Sequence, residues 1–347
     1  MPGNSTQDRF AYDFELPILK VEKEIRELTE RAASGHEDLS GKIEGLERKR
    51  DRLLKRTFQN LTAYQRVKLA RHPLRPHPMD YVTMLFTDFV ELHGDRRFGD
   101  DTAIVTGPAR LDEERLMIIA QRKGKDTREK IAANFGMPQP EGYRKALHKM
   151  RLAEKFRLPV VCLIDTPGAA PAVAAEERGQ AMAIAENIFV MAGLAVPIIV
   201  VVTGEGCSGG ALGVGVGDRF AMLENAYYSV ITPEGLSSIL WRDGDHAEQA
   251  ADAMKLTARD MLEAGIIDAM IPEPLGGAHR DPALTVRNVG QYLRAALEEL
   301  KPVPTDQLIE QRYQRYRRLG VFRTQSETEP EASALAPEPD EGPADNA

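Results

Sequence analysis

Gly204, Gly206, Gly209 and Gly210 crowd one short stretch, and between them stand three groups able to take part in chemistry, Glu205, Cys207 and Ser208. The residues before them, Pro197 to Val202, form a continuous apolar run rich in β-branched side chains. Such a run suits a strand buried on both faces. The residues after them, Ala211 to Val216, are small enough to pack closely as a helix. Strand, glycine turn and helix start together aim unpaired backbone N–H groups at one point. That point suits an anion, or an oxygen that becomes negative during a reaction.

Three chemistries fit the local pattern. Gly204 to Gly209 satisfies G-x-G-x-x-G, and Glu224 stands twenty residues past Gly204, the spacing of a dinucleotide fingerprint. Gly206 to Gly210 satisfies G-x-S-x-G, which would make Ser208 a nucleophile. In the third reading the turn is an oxyanion hole with no reacting side chain. A fourth, purely structural reading is that the glycines let a helix sit close to a sheet. Pattern alone leaves these open. A P-loop is excluded, because no Gly-Lys-Ser/Thr follows.

Such a stretch needs a large α/β scaffold, and 347 residues with 42% apolar content supply one. No apolar run reaches the ~18 residues of a membrane span, and no basic-then-apolar leader opens the chain. Cys162 and Cys207 are the two cysteines. They form no C-x-x-C pair, so neither a disulfide framework nor a thiolate zinc site is expected, and a cytoplasmic location is. Net charge is −8, of which the seven acidic residues of 324–347 supply −7. The rest is near neutral, and nothing in it calls for nucleic acid.

The chain in order reads as follows. Ile18, Val21, Ile25 and Leu28, then Leu39, Ile43, Leu46 and Leu53, mark two amphipathic helices. Thr62–Arg71 and Asp80–Leu92 read as helices, and Ala103–Thr106 with Leu116–Ala120 as a hairpin. Residues 121–143 form a polar segment with Lys123, Lys125, Arg128 and Lys130 as possible phosphate contacts. Helices at Arg144–Phe156 and Glu176–Met191 flank a strand at Val160–Ile164. Beyond the glycines come strands at Arg219–Leu223, Tyr228–Ile231 and Gly265–Ile271. Helices are expected at His246–Met254, Arg259–Ala264, Val286–Leu300 and, strongly basic, Glu310–Leu319. Residues 324–347 lack an apolar pattern and are expected to be disordered. Should that acidic tail dock, Arg312, Arg315, Arg317 and Arg318 are the candidate acceptors. His246 and His279 stand in no ligand or triad spacing. Near a helix N-terminus, Cys207 could be reactive, although a small residue tolerated beside the turn is the simpler reading.

The ordered series FGMPQPEGYRKA, IDTPGA, AEERGQ, GEGCSGGALGVGVGD, YSVITPEG and IPEPLGGAHR resembles the carboxyltransferase α subunit of bacterial acetyl-CoA carboxylase. The resemblance runs from about Phe14 to Leu319. It implies an α/β, crotonase-like spiral of ββα units behind an N-terminal helical extension: residues 1–78 as the extension, 79–320 as the catalytic domain, 321–347 as the acidic tail. It implies transfer of a carboxyl group from carboxybiotin, presented by a biotin carboxyl carrier protein, to acetyl-CoA. It further implies a β subunit that carries a zinc ribbon in an α2β2 assembly, with biotin carboxylase as a further partner and no metal in this chain. By motif position, the backbone amides of Gly206 and Cys207 form the oxyanion hole, while Gly168, Ala169, Gly209, Gly210, Pro233, Glu234 and Gly235 bind substrate. Where the family carries glycine and a Tyr-Pro-Gly-Val-Gly run, this chain has Cys207 and Ala170 to Ala174.

Overall fold

The computed structural model describes residues 10–35 and 38–320. The acidic tail and residues 1–9 lie outside the described residues. Two strands without an exposed residue, β3 (Val160–Thr166) and β4 (Ile198–Cys207), form the centre. Their apolar runs have no polar alternation because helices cover both faces. Around them the sheet runs β1 (Ile104–Leu111), β2 (Glu114–Gln121), β3, β4, β5 (Arg219–Leu223) and β7 (Ala269–Ile271). The first pair is antiparallel and the others are parallel. A short β6 (Tyr227–Ser229) joins the far end of β4. The carboxyl ends of β3 and β4 are thereby brought side by side, the usual place for a ligand in a parallel sheet.

The N-terminal extension is a helical hairpin, α1 (Leu16–Ala33) and α2 (Ser40–Gln59), followed by α3 (Ala63–Ala70). Thr62 and Gln65 close α3 with a capping box. The next helix, α4 (Pro78–Leu85), is shorter than the apolar spacing predicts. From Phe86 the chain is extended and lies along β1: Thr87 exchanges hydrogen bonds with Arg110, and Val90 and Leu92 donate to the carbonyls of Pro108 and Thr106. Those sheet bonds outweigh the helical spacing of Phe86, Phe89 and Val90. The polar segment 121–143 contains α5 (Thr127–Ala132), and α6 (Pro140–Phe156) starts four residues before its expected position.

After β3 the expected single helix is two, α7 (Val173–Glu177) and α8 (Gln180–Gly193), broken at Gly179 with φ +82°. Beyond β4 come α9 (Ser208–Leu212), α10 (Pro233–Trp241), α11 (Ala247–Met254), α12 (Ala258–Glu263), α13 (Pro282–Leu300) and α14 (Thr305–Arg317). The strand expected at Gly265–Ile271 is confined to the three residues of β7. Arg312 is buried and committed. Its guanidinium meets Asp218 at 2.8 Å and donates to the carbonyls of Met191, Leu194 and Val196. It fastens α14 to the sheet, and so is no acceptor for a tail. Arg315 is likewise paired with Asp268. Among the described residues no helix is long and apolar enough to cross a membrane.

The extension is clasped to the core through Glu15, His72 and His279, all buried. The imidazoles stack with centroids 3.8 Å apart and planes 23° from parallel, and His279 Nε2 lies 3.0 Å from Glu15 Oε1. His72 Nδ1 also accepts from the Leu74 N–H at 3.1 Å, so the trio ties the segment after α3 to the residue before α1 and to the loop before α13. Burial and the neighbouring His279 hold His72 down to about 4, below its ordinary 6.5. Burial would raise Glu15, but the bond from His279 leaves it lowered. Both folded values lie below the unfolded ones. The clasp therefore contributes fully above about pH 6.5 and weakens as pH falls toward about 4. The thermal midpoint should drop across that window, and His72→Phe should flatten the drop. A midpoint independent of pH between those values contradicts the assignment.

Candidate active site

β4 runs five residues past Val202, where the apolar run ends, and stops at Cys207. Gly204 and Gly206 are therefore strand residues. A Cβ on Gly204 would stand 2.6 Å from Asp165 Oδ1, and one on Gly206 would stand 2.7 Å from Tyr228 Cδ2. These glycines admit neighbouring side chains; they do not make a turn. The dinucleotide reading needs a turn there, and so does not survive. Its acidic residue, Glu224, accepts instead from the Glu273 amide at 3.3 Å.

The turn comes at Ser208, whose φ is +57°, and leads directly into α9. Opposite it lies the turn after β3, Pro167 to Pro171. The two walls touch through backbone: a Cβ on Gly210 would come within 2.4 Å of the Gly168 carbonyl carbon and 2.7 Å of the Ala169 nitrogen. Gln121 ties the walls together from behind. Its amide nitrogen donates to the Gly210 carbonyl at 2.8 Å, and its oxygen accepts from the Asp165 N–H at 3.0 Å. The Thr166 hydroxyl accepts from the Gly168 N–H at 3.1 Å. Gln180 donates to the carbonyls of Pro138 and Ala170.

Between the walls lies an open groove of about 450 Å³. Gly168, Ala169, Cys207, Ser208 and Gly209 line it, with Val230 and Thr232 on the far side. Gly206 and Gly210 stand behind this lining. Gly206 has a strand on each side, Thr166 of β3 and Tyr228 of β6. Ser208 and Gly209 open a helix, and the first N–H groups of a helix have no intrahelical acceptor. Pro233, Glu234 and Gly235 form the first turn of α10, capped by the Thr232 hydroxyl. Glu234 faces away from the groove, toward Arg71 at 2.7 Å and Tyr64 at 3.2 Å.

No nucleophile is prepared here. Burial raises the Cys207 thiol, and although the Ser229 hydroxyl lowers it, the balance is about 11. It is unreactive at neutral pH, which supports the structural reading of this cysteine. Ser208 is exposed, and among the described residues its hydroxyl has no hydrogen-bonded base. His279 belongs to the clasp, and His246 sits on the surface 3.9 Å from Asp243. A serine nucleophile needs such a base.

Sequence reading missed the charged network behind the groove. Glu205 is buried and accepts from Lys123 at 2.5 Å, Arg71 at 2.6 Å and the Tyr227 hydroxyl at 2.5 Å. Lys123 also meets Asp165 at 2.7 Å. Lys123 is thus used internally, and Lys125 pairs with Asp80. Neither is a free phosphate contact. The elements that bound the groove also expose large apolar side chains, among them Val173, Met182, Phe189 (80% exposed) and Val230 (84% exposed).

Comparison with known proteins agrees with this geometry. Residues 11–320 match the family described as acetyl co-enzyme A carboxylase carboxyltransferase-like. The chain is 52% identical over 314 residues to the acetyl-coenzyme A carboxylase carboxyl transferase subunit alpha of Geobacter metallireducens, covering 90% of this chain and 98% of that protein. The protein of the same name from Methylococcus capsulatus is 53% identical over 310 residues, with 89% and 97% covered. Among solved structures, transcarboxylase 12S with methylmalonyl-coenzyme A and methylmalonic acid bound aligns with a TM-score of 0.52 at 21% identity, over 66% of this chain and 42% of that one. At that identity the likeness speaks for the fold, which is crotonase-like as expected.

Proposed function

This chain belongs to the acetyl-CoA carboxylase carboxyltransferase-like family, and from that premise we propose that its groove is the biotin-side half of a carboxyltransferase active site. The enzyme is a biotin-dependent acetyl-CoA carboxyltransferase of the α type. It takes a carboxyl group from carboxybiotin and passes it to acetyl-CoA, giving malonyl-CoA, the starting unit for fatty acid synthesis.

The observation that carries the site assignment is a helix start, Ser208 and Gly209, lining the groove opposite a wall of small residues, with no nucleophile–base pair between them among the described residues. On this reading the amides of Cys207, Ser208 and Gly209, at the end of β4 and the start of α9, supply the donors, and Gly206 stands behind them in the strand. Gly168 and Ala169 face them across the groove. Fixed N–H donors suit the chemistry, because carboxybiotin supplies the carboxyl group and negative charge grows on its ureido oxygen as that group leaves. The groove fits such a ring system, with small residues at its floor and room for about 450 Å³. This chain's residues would then orient the ring, donate to the developing oxyanion and keep water from its inner face. One such donor is worth ~3–4 kcal/mol of barrier.

The acetyl-CoA side needs a second oxyanion site. We assign it to a β subunit docked over the groove, and the exposed Val173, Met182, Phe189 and Val230 are the apolar surface that supports such docking. The biotin carrier protein would approach through the same opening. The division into an extension of residues 1–78 and a catalytic domain of 79–320 fits this arrangement, since α1 and α2 stand apart from the groove. We place the enzyme in the cytoplasm.

The oxyanion reading is tested at Ser208. Ser208→Gly removes the hydroxyl, keeps the N–H and suits φ +57°. Malonyl-CoA formation by the assembled variant should stay within about threefold of the parent, since no side-chain atom is used. Loss of turnover in a folded, assembled Ser208→Gly complex would falsify the reading. Labelling of Ser208 by a fluorophosphonate would point to the nucleophile instead.

A further inference from the structure

We propose that Glu205 is a positioning residue for carboxyl transfer, an inference that rests on the groove being the active site. Its carboxylate is the hub of the network behind the two walls. The side chain is about 6% exposed and accepts three hydrogen bonds, from Lys123, Arg71 and Tyr227. Its own N–H donates to Asp165 Oδ1 at 2.9 Å, and the same oxygen takes Lys123 at 2.7 Å. One residue therefore joins the segment after β2, the end of β3, the end of β4, β6 and the residue after α3.

Those attachments fall directly behind the donors. Asp165 precedes Thr166, whose hydroxyl holds the Gly168 N–H, so it governs one wall. Glu205 precedes Gly206 and Cys207, so it governs the other. The network fixes the distance between the walls. Burial opposes ionisation of Glu205, but Lys123 and Arg71 win and lower it to about 2. It is a carboxylate at any working pH and transfers no proton. Its part is to hold Lys123 and Arg71, and through them the two backbone turns, in one arrangement. The glycines on either side agree: Gly204 leaves room for the Asp165 carboxylate and Gly206 for the Tyr228 ring.

Placement errors near 1 Å cost roughly 100-fold in rate. Glu205→Gln keeps the shape but offers Lys123 and Arg71 a neutral partner and one N–H donor too many. In the complex with the β subunit, kcat should fall roughly 10- to 100-fold while KM for acetyl-CoA and for carboxybiotin stays within about threefold. Affinity for the β subunit should be unchanged. A merely structural role would instead lower thermal stability and assembly with kcat per assembled complex intact. Tyr227→Phe removes one bond to the hub without altering charge, and should lower kcat about threefold to tenfold at constant KM. It decides the matter if Glu205→Gln fails to assemble. Unchanged kcat in assembled Glu205→Gln, or in Tyr227→Phe where only that variant assembles, overturns the proposal. A parent complex that makes no malonyl-CoA overturns the functional reading beneath it, which is a separate outcome.

Discussion

Gly210→Val is expected to lower malonyl-CoA formation by roughly 1,000-fold, because it separates the two walls of the proposed active site. A Cβ at this position would lie 2.4 Å from the Gly168 carbonyl carbon and 2.7 Å from both Gly168 Cα and the Ala169 nitrogen. These are backbone atoms at a turn held by the Thr166 hydroxyl and by Gln180, so they cannot swing aside as a flexible side chain would. The Gly210 carbonyl is also held by Gln121 and Tyr143, which keeps α9 from retreating. Overlap of this kind costs ~1–3 kcal/mol in stability, well short of what a large domain needs to unfold. The loss should therefore appear in turnover first. Gly193→Ala is the control: a Cβ there meets nothing within 4 Å, and its turnover should match the parent. Rates are to be compared in assembled complexes, with thermal unfolding measured alongside. Turnover of folded, assembled Gly210→Val within about threefold of the parent would place the chemistry outside this groove.

Much of the scaffold was legible because burial writes itself into composition. The apolar runs at Val160–Ile164 and Pro197–Val202 became the two fully buried strands, and the spacing of Ile18, Val21 and Ile25 became α1. The errors share a cause: contacts between residues far apart in sequence. Gly204 and Gly206 look like a turn, yet they are strand because the groups that need their space, Asp165 and Tyr228, are 39 and 22 residues away. Phe86 to Leu92 has helical spacing but is claimed by hydrogen bonds from β1. There Gly107 admits the Val90 carbonyl so closely that a Cβ would lie 2.0 Å from it. Lys123 could be read only as a free cation, since its partner Glu205 is 82 residues further on. The candidate site was legible as a glycine motif and, through family resemblance, as a role. Which amides open to the groove and which carboxylate stands behind them were not, because backbone direction and long-range ion pairs leave no local signature.

On the proposed function this chain holds half of an active site. The groove between the two walls is an open one. On the proposed reading its donors serve a single developing oxyanion, whereas carboxyl transfer to acetyl-CoA also needs charge stabilised on the thioester oxygen as the enolate forms. Among the described residues, Phe189 and Val230 stand largely exposed on elements that bound the groove, at the cost a monomer would pay for leaving apolar surface in water. Both facts call for a second chain. The direct measurement is malonyl-CoA formation from acetyl-CoA and carboxybiotin by the purified chain alone, and then with the β subunit titrated in. The chain alone should give no rate above the uncatalysed background. Turnover should rise with added β subunit and level off at a fixed ratio of the two, and replacing Phe189 or Val230 by a charged residue should shift that titration to higher β concentration. Full turnover by the isolated chain, unaffected by the β subunit, would contradict the claim.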